Sequence, residues 1–231
     1  MRVRVRFVKL GKIRWTSHRD VARMWERAFR RVALPLAYTQ GFSPRPKVSF
    51  GLALPTGHES VAEYLDLEAA AGTQPEVDTL PARLSSALPA GIDVLAASVI
   101  DDRAGSLQEE VTSCTWLVEA AGAPQDELAE LVRRALAADS LVITRQRKGH
   151  DVTDDVRPAI LSIEVDGTGL RCELATQPRG LRPSELLTAI DPRLEEGHVR
   201  RLHQWIQRDG ARREPLPLDA TDAPHAFERA S

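Results

Sequence analysis

The stretch SHRDVARMWERAFRRVALPLAYTQGFSPRPKVSF, residues 17–50, joins a basic amphipathic segment to a loop that contains two prolines. At 100° per residue its apolar positions fall on one side and its arginines on the other. This pattern predicts a helix from His18 to about Ala33, and Ser17 with Asp20 forms a capping-box-like start. The helix therefore has one face for a core and one face of positive charge.

Positive charge is concentrated at the start of the chain. Residues 1–50 hold ten arginines and three lysines against Asp20 and Glu26, a net charge of +11, so residues 51–231 carry −13 of the overall −2. Such a division is typical of a region that faces a polyanion, whereas an ordinary solvated surface intersperses both signs. The same numbers also allow the basic and acidic parts of the chain to neutralise each other.

The composition is that of a globular protein, with 42% hydrophobic and 28% charged residues. The sequence has no apolar run long enough for a membrane span and does not start like a signal peptide, so we expect a cytoplasmic protein without membrane contact. Cys114 and Cys172 lie in strand-like runs, which favours buried, reduced thiols. No cysteine spacing of the CxxC type supports a metal site.

The order of strand-like and helix-like segments is βαββαβ, and this order then recurs. It predicts an α+β fold of two tandem ferredoxin-like units with antiparallel sheets. We expect a basic N-terminal unit at 1–100, a linker at 101–110, an acidic C-terminal unit at 111–210 and a flexible tail at 211–231.

The first predicted strand, RVRVRF, alternates charged and apolar residues. Period-two alternation places Val3, Val5 and Phe7 on a packed face and leaves three arginines on the opposite, open face. We expect the following segment, KIRWTS, to continue or pair with this strand.

Arginine offers a planar fork of donors that matches phosphate oxygens and can also stack on bases. The strand, the helix and the loop together could track an RNA backbone. The predicted phosphate-binding residues are Arg4, Arg19, Arg23, Arg27, Arg30, Arg31, Arg45 and Lys47.

The loop supplies a second set of candidate residues. Pro44 and Pro46 restrict the backbone around Arg45, and Gly41 permits a tight turn. Phe42 can stack on a base or anchor the loop in the core, and its apolar character favours the core. With only 5% aromatic residues in the chain, recognition of RNA backbone and shape is favoured over reading of individual bases.

Catalysis has weaker support. The candidates are His18, Asp20, His58 and Glu59, and Asp20 is better explained as a capping residue. The chain contains no nucleophile elbow, P-loop, dinucleotide-binding or metalloprotease motif, so the residues do not define a reaction.

The segment from Ile13 to Glu68 closely resembles the radical-SAM-linked family, a bacterial domain of unknown function. The resemblance rests on Ser-His-x-Asp, Arg-Arg, Pro-Leu-x-Tyr, Gly-Phe-x-Pro-x-Pro and Gly-x-Glu-Ser patterns followed by a glutamate. They fall on Ser17, His18, Asp20, Arg30, Arg31, Pro35, Leu36, Tyr38, Gly41, Phe42, Pro44, Pro46, Gly57, Glu59, Ser60 and Glu63. Later pieces fit as well, at Lys148, Asp155 and Arg157, and Arg19 departs from the leucine that is more usual at its position.

The resemblance implies a radical SAM enzyme as partner. This chain has no cysteine triad, so the iron-sulfur cluster and SAM are expected on the partner, with no cofactor bound directly here. Three functions follow. The favoured one is a non-catalytic RNA-binding adaptor for an RNA-modifying or RNA-processing system, with tRNA or ribosomal RNA as the candidate RNA. The others are an enzyme that acts on RNA and a protein-interaction scaffold whose basic face meets an acidic partner or the chain's own acidic part.

Overall fold

The computed structural model describes residues 1–147, 149–208 and 210–218, except for the side chain of Arg147. The fold is mixed α+β, as expected. In chain order the elements are β1 (Arg2–Lys9), α1 (His18–Arg31), β2 (Val48–Phe50), β3 (Glu59–Glu68), α2 (Leu80–Ala87), β4 (Ile92–Ile100), α3 (Leu107–Glu110), β5 (Val111–Ala121), α4 (Gln125–Ala137), β6 (Val142–Arg147), β7 (His150–Asp155), β8 (Ile160–Asp166), β9 (Gly169–Ala175), α5 (Pro183–Ile190), β10 (Glu195–Arg208) and β11 (Ala211–Arg213).

The chain divides into two compact units. The first contains Met1–Val111 and the described residues from Trp205 onward, and the second is Thr112–Gln204. This division differs from the expected one, because the chain leaves the first unit after Val111 and returns to it within β10.

The sheet of the first unit has the strand order β4-β1-β3-β2, with every neighbouring pair antiparallel. The apolar side of β1 packs against α1 and α2 in one core. Phe7 meets the fully buried Trp25 ring edge-on, with 4.9 Å between ring centroids. The apolar face predicted for the helix is therefore the face that is buried.

The opposite side of β1 is not the open face that the alternation indicated. Arg4 is 1% exposed, and its Nε and Nη2 donate to the two carboxylate oxygens of Asp66 at 2.8 and 3.0 Å. Arg6 pairs with Glu214, and the Leu216 side chain packs over this side of the sheet. Segments distant in sequence cover the arginines and supply their carboxylates, so a period-two pattern alone could not show the burial.

Three further expectations about local structure are corrected. The KIRWTS segment does not extend β1 and instead forms a 3-10 turn at Gly11–Trp15. The linker expected at 101–110 includes α3 and belongs to the first unit. The tail expected to be flexible from 211 begins with β11, which pairs with β10, and residues 219–231 lie outside the described residues.

In the second unit the strand order is β10-β5-β9-β8, and β9 is antiparallel to both its neighbours. The β6–β7 hairpin forms a separate two-stranded sheet, and α4 lies against β8 and α5. Cys114 and Cys172 are buried and form no disulfide, as predicted. Burial raises the pKa of the Cys172 thiol to about 12.

Candidate nucleic-acid interface

The exposed face of α1 carries a row of arginines. Arg19, Arg23, Arg27 and Arg30 are all exposed, and their spacing confines them to a stripe about 80° wide. Like charges three or four residues apart on a helix destabilise it by about 0.2–0.5 kcal/mol per pair. The half-buried Glu26 offsets part of this repulsion. A bound anion would relieve the remainder.

Within the part of the chain that the structure describes, the ion pair of this row is made by Arg23. Its Nη1 lies 3.4 Å from Oδ1 of Asp20, and both side chains are more than half exposed. Exposed pairs of this kind contribute about 0–1 kcal/mol and are easily exchanged for another anion. The row therefore remains available to a ligand.

The last arginine of α1 also borders a groove against α2. Arg31 Nη1 donates to the Ala87 carbonyl oxygen at 3.0 Å. The groove has a volume of about 210 Å³ and is lined by Met24, Arg27 and Arg31 from α1 and by residues 87–89. The arginine row thus ends at a concave surface rather than on a flat one.

The loop at residues 37–47, which we call the proline loop, is held at its base by backbone hydrogen bonds. Lys47 N donates to Ala37 O at 2.8 Å, and Thr39 N donates to Arg45 O at 2.9 Å. Arg45 N in turn donates to Thr39 Oγ1 at 3.1 Å. Because both ends are fixed, the five residues between Thr39 and Arg45 project from a hydrogen-bonded base.

The tip of the proline loop is aromatic. Phe42 is fully exposed, at 109% of its reference surface, so the interpretation that it anchors the loop in the core is wrong. Gly41 precedes it with a φ of 130°, a backbone conformation that favours glycine. Tyr38, also half exposed, forms a β-bridge with Pro46 at the base. Pro44 is exposed between them.

The two basic residues of the proline loop lie near its base. Arg45 is exposed, and Lys47 Nζ contacts Oε1 of Glu68 at 2.9 Å in a pair that is 43% exposed on each side. The loop starts six residues after α1 ends and is tied to the end of β3, where Ala37 N donates to Glu68 O at 2.8 Å. The loop and the C-terminal arginines of α1 therefore extend from neighbouring parts of the first unit.

The four catalytic candidates are placed in different environments. His18 and Asp20 are exposed at the start of α1. Ser17 Oγ accepts from Asp20 N at 3.2 Å and donates to Asp20 Oδ2 at 2.7 Å, which is the capping role expected for this pair. His58 and Glu59 are 7% and 4% exposed.

Glu59 has a structural role. Its Oε1 accepts from Gly11 N at 2.7 Å and lies 3.5 Å from Nη1 of Arg14, so the carboxylate ties the 3-10 turn to β3. A small cavity of about 20 Å³ nearby is lined by residues that include His18, Lys9 and Glu63, but not by Asp20, His58 or Glu59. The structure does not assemble the four candidates around this cavity.

The described ranges 1–147, 149–208 and 210–218 contain no cluster of three or more His, Cys, Asp or Glu side chains that could hold a metal ion. None of their helices has the length and apolarity that a membrane crossing requires.

Comparison with known proteins identifies the family. Residues 2–185 match the model of a family described as "Uncharacterized protein conserved in bacteria (DUF2344)". The chain belongs to this family. The matched range contains α1, the proline loop and most of the second unit, so the candidate interface lies inside the part that defines DUF2344. No curated protein sequence matches the chain.

A solved structure similar to this DUF2344 member is a chain of the "Crystal Structure of a Cbf5-Nop10-Gar1 Complex". The two are 12% identical with a TM-score of 0.45, and the match covers 86% of this chain and 48% of that one. This chain thus spans about half the length of that structure, and a likeness at this level carries no argument about function.

One feature of the site was not among the predicted residues of this DUF2344 protein. Trp15 is 65% exposed beside the start of α1, and the Arg14 guanidinium lies 5.3 Å from the centroid of its ring. The ring packs over Gly57, where an added Cβ would lie 2.9 Å from Trp15 Cζ3. The sequence signal was the Arg-Trp pair directly before the helix, and it offers a second surface on which a base could stack.

Proposed function

We propose that this DUF2344 protein is a cytoplasmic, non-catalytic RNA-binding adaptor that presents an RNA to a modifying or processing enzyme. The observation that carries the proposal is the exposed arginine row of α1 together with the exposed proline loop, which follows α1 in the chain and is fixed at its base by hydrogen bonds. Guanidinium groups bind phosphate oxygens in a bidentate manner, and an unpaired base can stack on an exposed aromatic ring.

The exposed cations outnumber the exposed aromatic rings in the proposed interface, which favours recognition of RNA backbone and shape. The row and the loop supply six exposed cations, while fully exposed aromatic surface is concentrated at Phe42. Phosphate contacts position a nucleic acid without reading its sequence, whereas base contacts specify it. We therefore expect the adaptor to bind many RNAs and to discriminate mainly between single-stranded and paired regions. The six cations are Arg19, Arg23, Arg27, Arg30, Arg45 and Lys47.

Internal neutralisation of the basic segment has less support than RNA binding. It would bury Arg23, Arg27 and Arg45 against carboxylates, yet all three are exposed. The arginines of this segment that do pair with buried or largely buried carboxylates are Arg2, Arg4 and Arg6 of β1 and Arg14 of the 3-10 turn, and none of them belongs to α1 or to the proline loop. Arg4 is accordingly removed from the proposed interface.

The partner follows from the resemblance to radical-SAM-linked proteins. In this proposal a radical SAM enzyme binds the iron-sulfur cluster and SAM, since the chain contains only two cysteines and both are buried in the second unit. The adaptor supplies the RNA-binding surface and the partner supplies the chemistry.

We also infer that each unit is a ferredoxin-like variant. What supports this is the antiparallel strand order β4-β1-β3-β2 in the first unit and the order β10-β5-β9-β8 in the second. Both orders place the first and third strands of a βαββαβ unit at its centre. In the second unit the β6–β7 hairpin would be an insertion after α4.

The test is binding to tRNA and to ribosomal RNA across a salt series. Neutralising Arg23, Arg27, Arg45 and Lys47 to Gln is expected to weaken binding and to reduce the slope of log K against log salt by about 3, at about 0.7 per single-stranded phosphate contact. A matched control neutralises three exposed arginines of the second unit, Arg133, Arg134 and Arg193, to Gln. It is compared with a variant in which three arginines of the proposed interface, Arg23, Arg27 and Arg45, are changed in the same way.

The expected result is a loss of binding and of slope in the α1 and loop variant and little change in the control. Salt-independent binding by the unmodified protein, or equal effects of the two variants, would contradict the proposal. RNA that is chemically altered after incubation with the protein alone would favour an enzyme that acts on RNA.

A further inference from the structure

The second unit contains a large polar cavity that the proposed function does not use. Its volume is about 560 Å³, within the range of about 300–1,000 Å³ that is usual for small-molecule sites. It lies between β6 and the segment that leads into α5. The charged side chains that line it are Arg145, Arg179, Arg182 and Glu185.

Two of these arginines are held in place by carboxylates. Arg145 Nε donates to Asp154 Oδ2 at 2.7 Å, and Arg179 Nε lies 3.4 Å from the same oxygen. Arg179 Nη1 also donates to Glu185, at 3.0 and 2.8 Å to its two oxygens. Fixing a guanidinium in this way lowers the entropy that it would lose on binding a ligand.

These pairs use only part of the donor capacity of the arginines. An arginine has five N–H donors, and the contact of Arg145 with Asp154 engages its Nε alone. Arg182 is exposed, and Glu185 Oε2 accepts from its backbone N at 3.0 Å rather than from its guanidinium. Within the described residues, the two Nη groups of Arg145 and the guanidinium of Arg182 make no ion pair.

The charge of the cavity opposes that of its surroundings. Three arginines and one glutamate line it. Residues 112–204 as a whole hold twelve basic and fifteen acidic residues, a net charge of −3. With Asp154, which contacts both Arg145 and Arg179, the group has three arginines against two carboxylates, and a bound anion would balance the remaining positive charge.

We propose that this cavity is a binding site for a phosphate group. Arg145 and Arg182 would bind the phosphate oxygens through their terminal N–H groups. Arg179 would remain bound to Asp154 and Glu185 and would add to the positive electrostatic potential of the site. Arginine suits this role because its fork matches two phosphate oxygens at once. The residues of this site belong to the second unit and those of α1 to the first, so the proposal does not depend on the proposed RNA surface.

The experiment titrates the full-length protein with inorganic phosphate by calorimetry, at constant ionic strength kept with sodium chloride. The unmodified protein is expected to bind phosphate, and binding is expected to raise its melting temperature by mass action.

R182Q removes one donor group without breaking any carboxylate pair and is expected to weaken phosphate binding. The double variant R145Q/R182Q is expected to lose at least tenfold in affinity. R133Q, an exposed arginine of α4, is the control and is expected to bind as the unmodified protein does.

The absence of phosphate binding by the unmodified protein would overturn the proposal. Equal affinities for the unmodified protein and a double variant whose circular dichroism spectrum is unchanged would overturn it as well, because the phosphate would then lie elsewhere.

Two further probes distinguish the source of the phosphate. A nucleoside 5′-monophosphate carries a terminal phosphate, whereas a dinucleoside monophosphate carries only an internal phosphodiester. If only the nucleoside monophosphate competes with inorganic phosphate, the natural ligand is a phosphorylated small molecule. If the dinucleoside monophosphate competes as well, the ligand is an RNA backbone. The variant with neutralised α1 and proline-loop residues must still bind phosphate here, so failure of the RNA proposal and failure of this one are distinguishable.

Discussion

Phe42 extends from the tip of a loop whose two ends are fixed by hydrogen bonds. An exposed phenylalanine forgoes about 1.5–3 kcal/mol that burial of its ring would contribute. The loop thus presents an exposed apolar ring three residues before the exposed Arg45, a combination that suits a nucleobase attached to a phosphate.

The Phe42 ring is therefore expected to contribute through stacking. Phe42→Ala should weaken binding of single-stranded RNA by about 1–3 kcal/mol, while the slope of log K against log salt stays unchanged because no phosphate contact is lost. Phe42→Trp, which retains an aromatic face, should restore the affinity. Fluorescence anisotropy with single-stranded and duplex RNA measures both effects. An equal loss for duplex RNA, or no recovery with tryptophan, would contradict stacking.

Phe42 is an apolar residue that is exposed, whereas Arg4 is a charged residue that is buried. Burial alone would lower the pKa of its guanidinium, but hydrogen bonds and charges from Asp66 and Glu110 outweigh this effect and hold the pKa above its ordinary value. The side chain remains charged inside the protein because two carboxylates face it. Its role is to join β1 to β3 rather than to meet a ligand.

At the scale of the element, α1 ends in a Schellman motif that lacks its usual glycine. Leu34 N donates to Phe29 O at 3.0 Å and Ala33 N donates to Arg30 O at 3.2 Å, the two hydrogen bonds that define the motif. Ala33 has a φ of 49°, in the left-handed region where an L side chain costs about 1–2 kcal/mol.

Ala33→Gly is accordingly expected to stabilise the first unit. The relief of strain exceeds the entropy that glycine adds to the unfolded chain, about 0.4–1 kcal/mol, so the free energy of unfolding should rise by about 0.5–1 kcal/mol. Urea denaturation measures the change. Ala22→Gly, in the middle of α1, is the matched control and should lower the free energy of unfolding by about 1 kcal/mol. A loss of stability in both variants would show that Ala33 is not strained.

The success of sequence-based prediction also differs between elements. The packed face of α1, its cap at Ser17 and the turn at Gly41 could be predicted because each depends on residues within a few positions of one another. The burial of Arg4 could not, because Asp66 lies 62 positions away. The exposure of Phe42 was also missed, since the general tendency of phenylalanine is toward the core.

At the scale of the whole molecule, the chain leaves the first unit after Val111 and returns to complete it. The returning segment brings Glu214 to Arg6, 208 positions away in sequence. The Arg6 and Glu214 side chains are only 4% and 13% exposed. Arg6 Nη1 also donates to Leu216 O at 3.2 Å. A charge at the start of the chain is thus neutralised by a residue near the end of its described part.

Removal of this carboxylate should therefore be costly. Glu214→Gln leaves the Arg6 charge buried without its counter-ion, and loss of one partner of a buried pair costs about 3–5 kcal/mol in the free energy of unfolding. Glu68→Gln is the control, because its pair with Lys47 is 43% exposed on both sides and should contribute about 0–1 kcal/mol. Urea denaturation of the two variants gives the comparison.

The double variant Arg6→Met/Glu214→Leu removes both charges and should recover much of the loss, since an apolar pair of similar size avoids the burial of an unpaired charge. Similar small losses for Glu214→Gln and Glu68→Gln would mean that the returning segment does not stabilise the first unit through this pair.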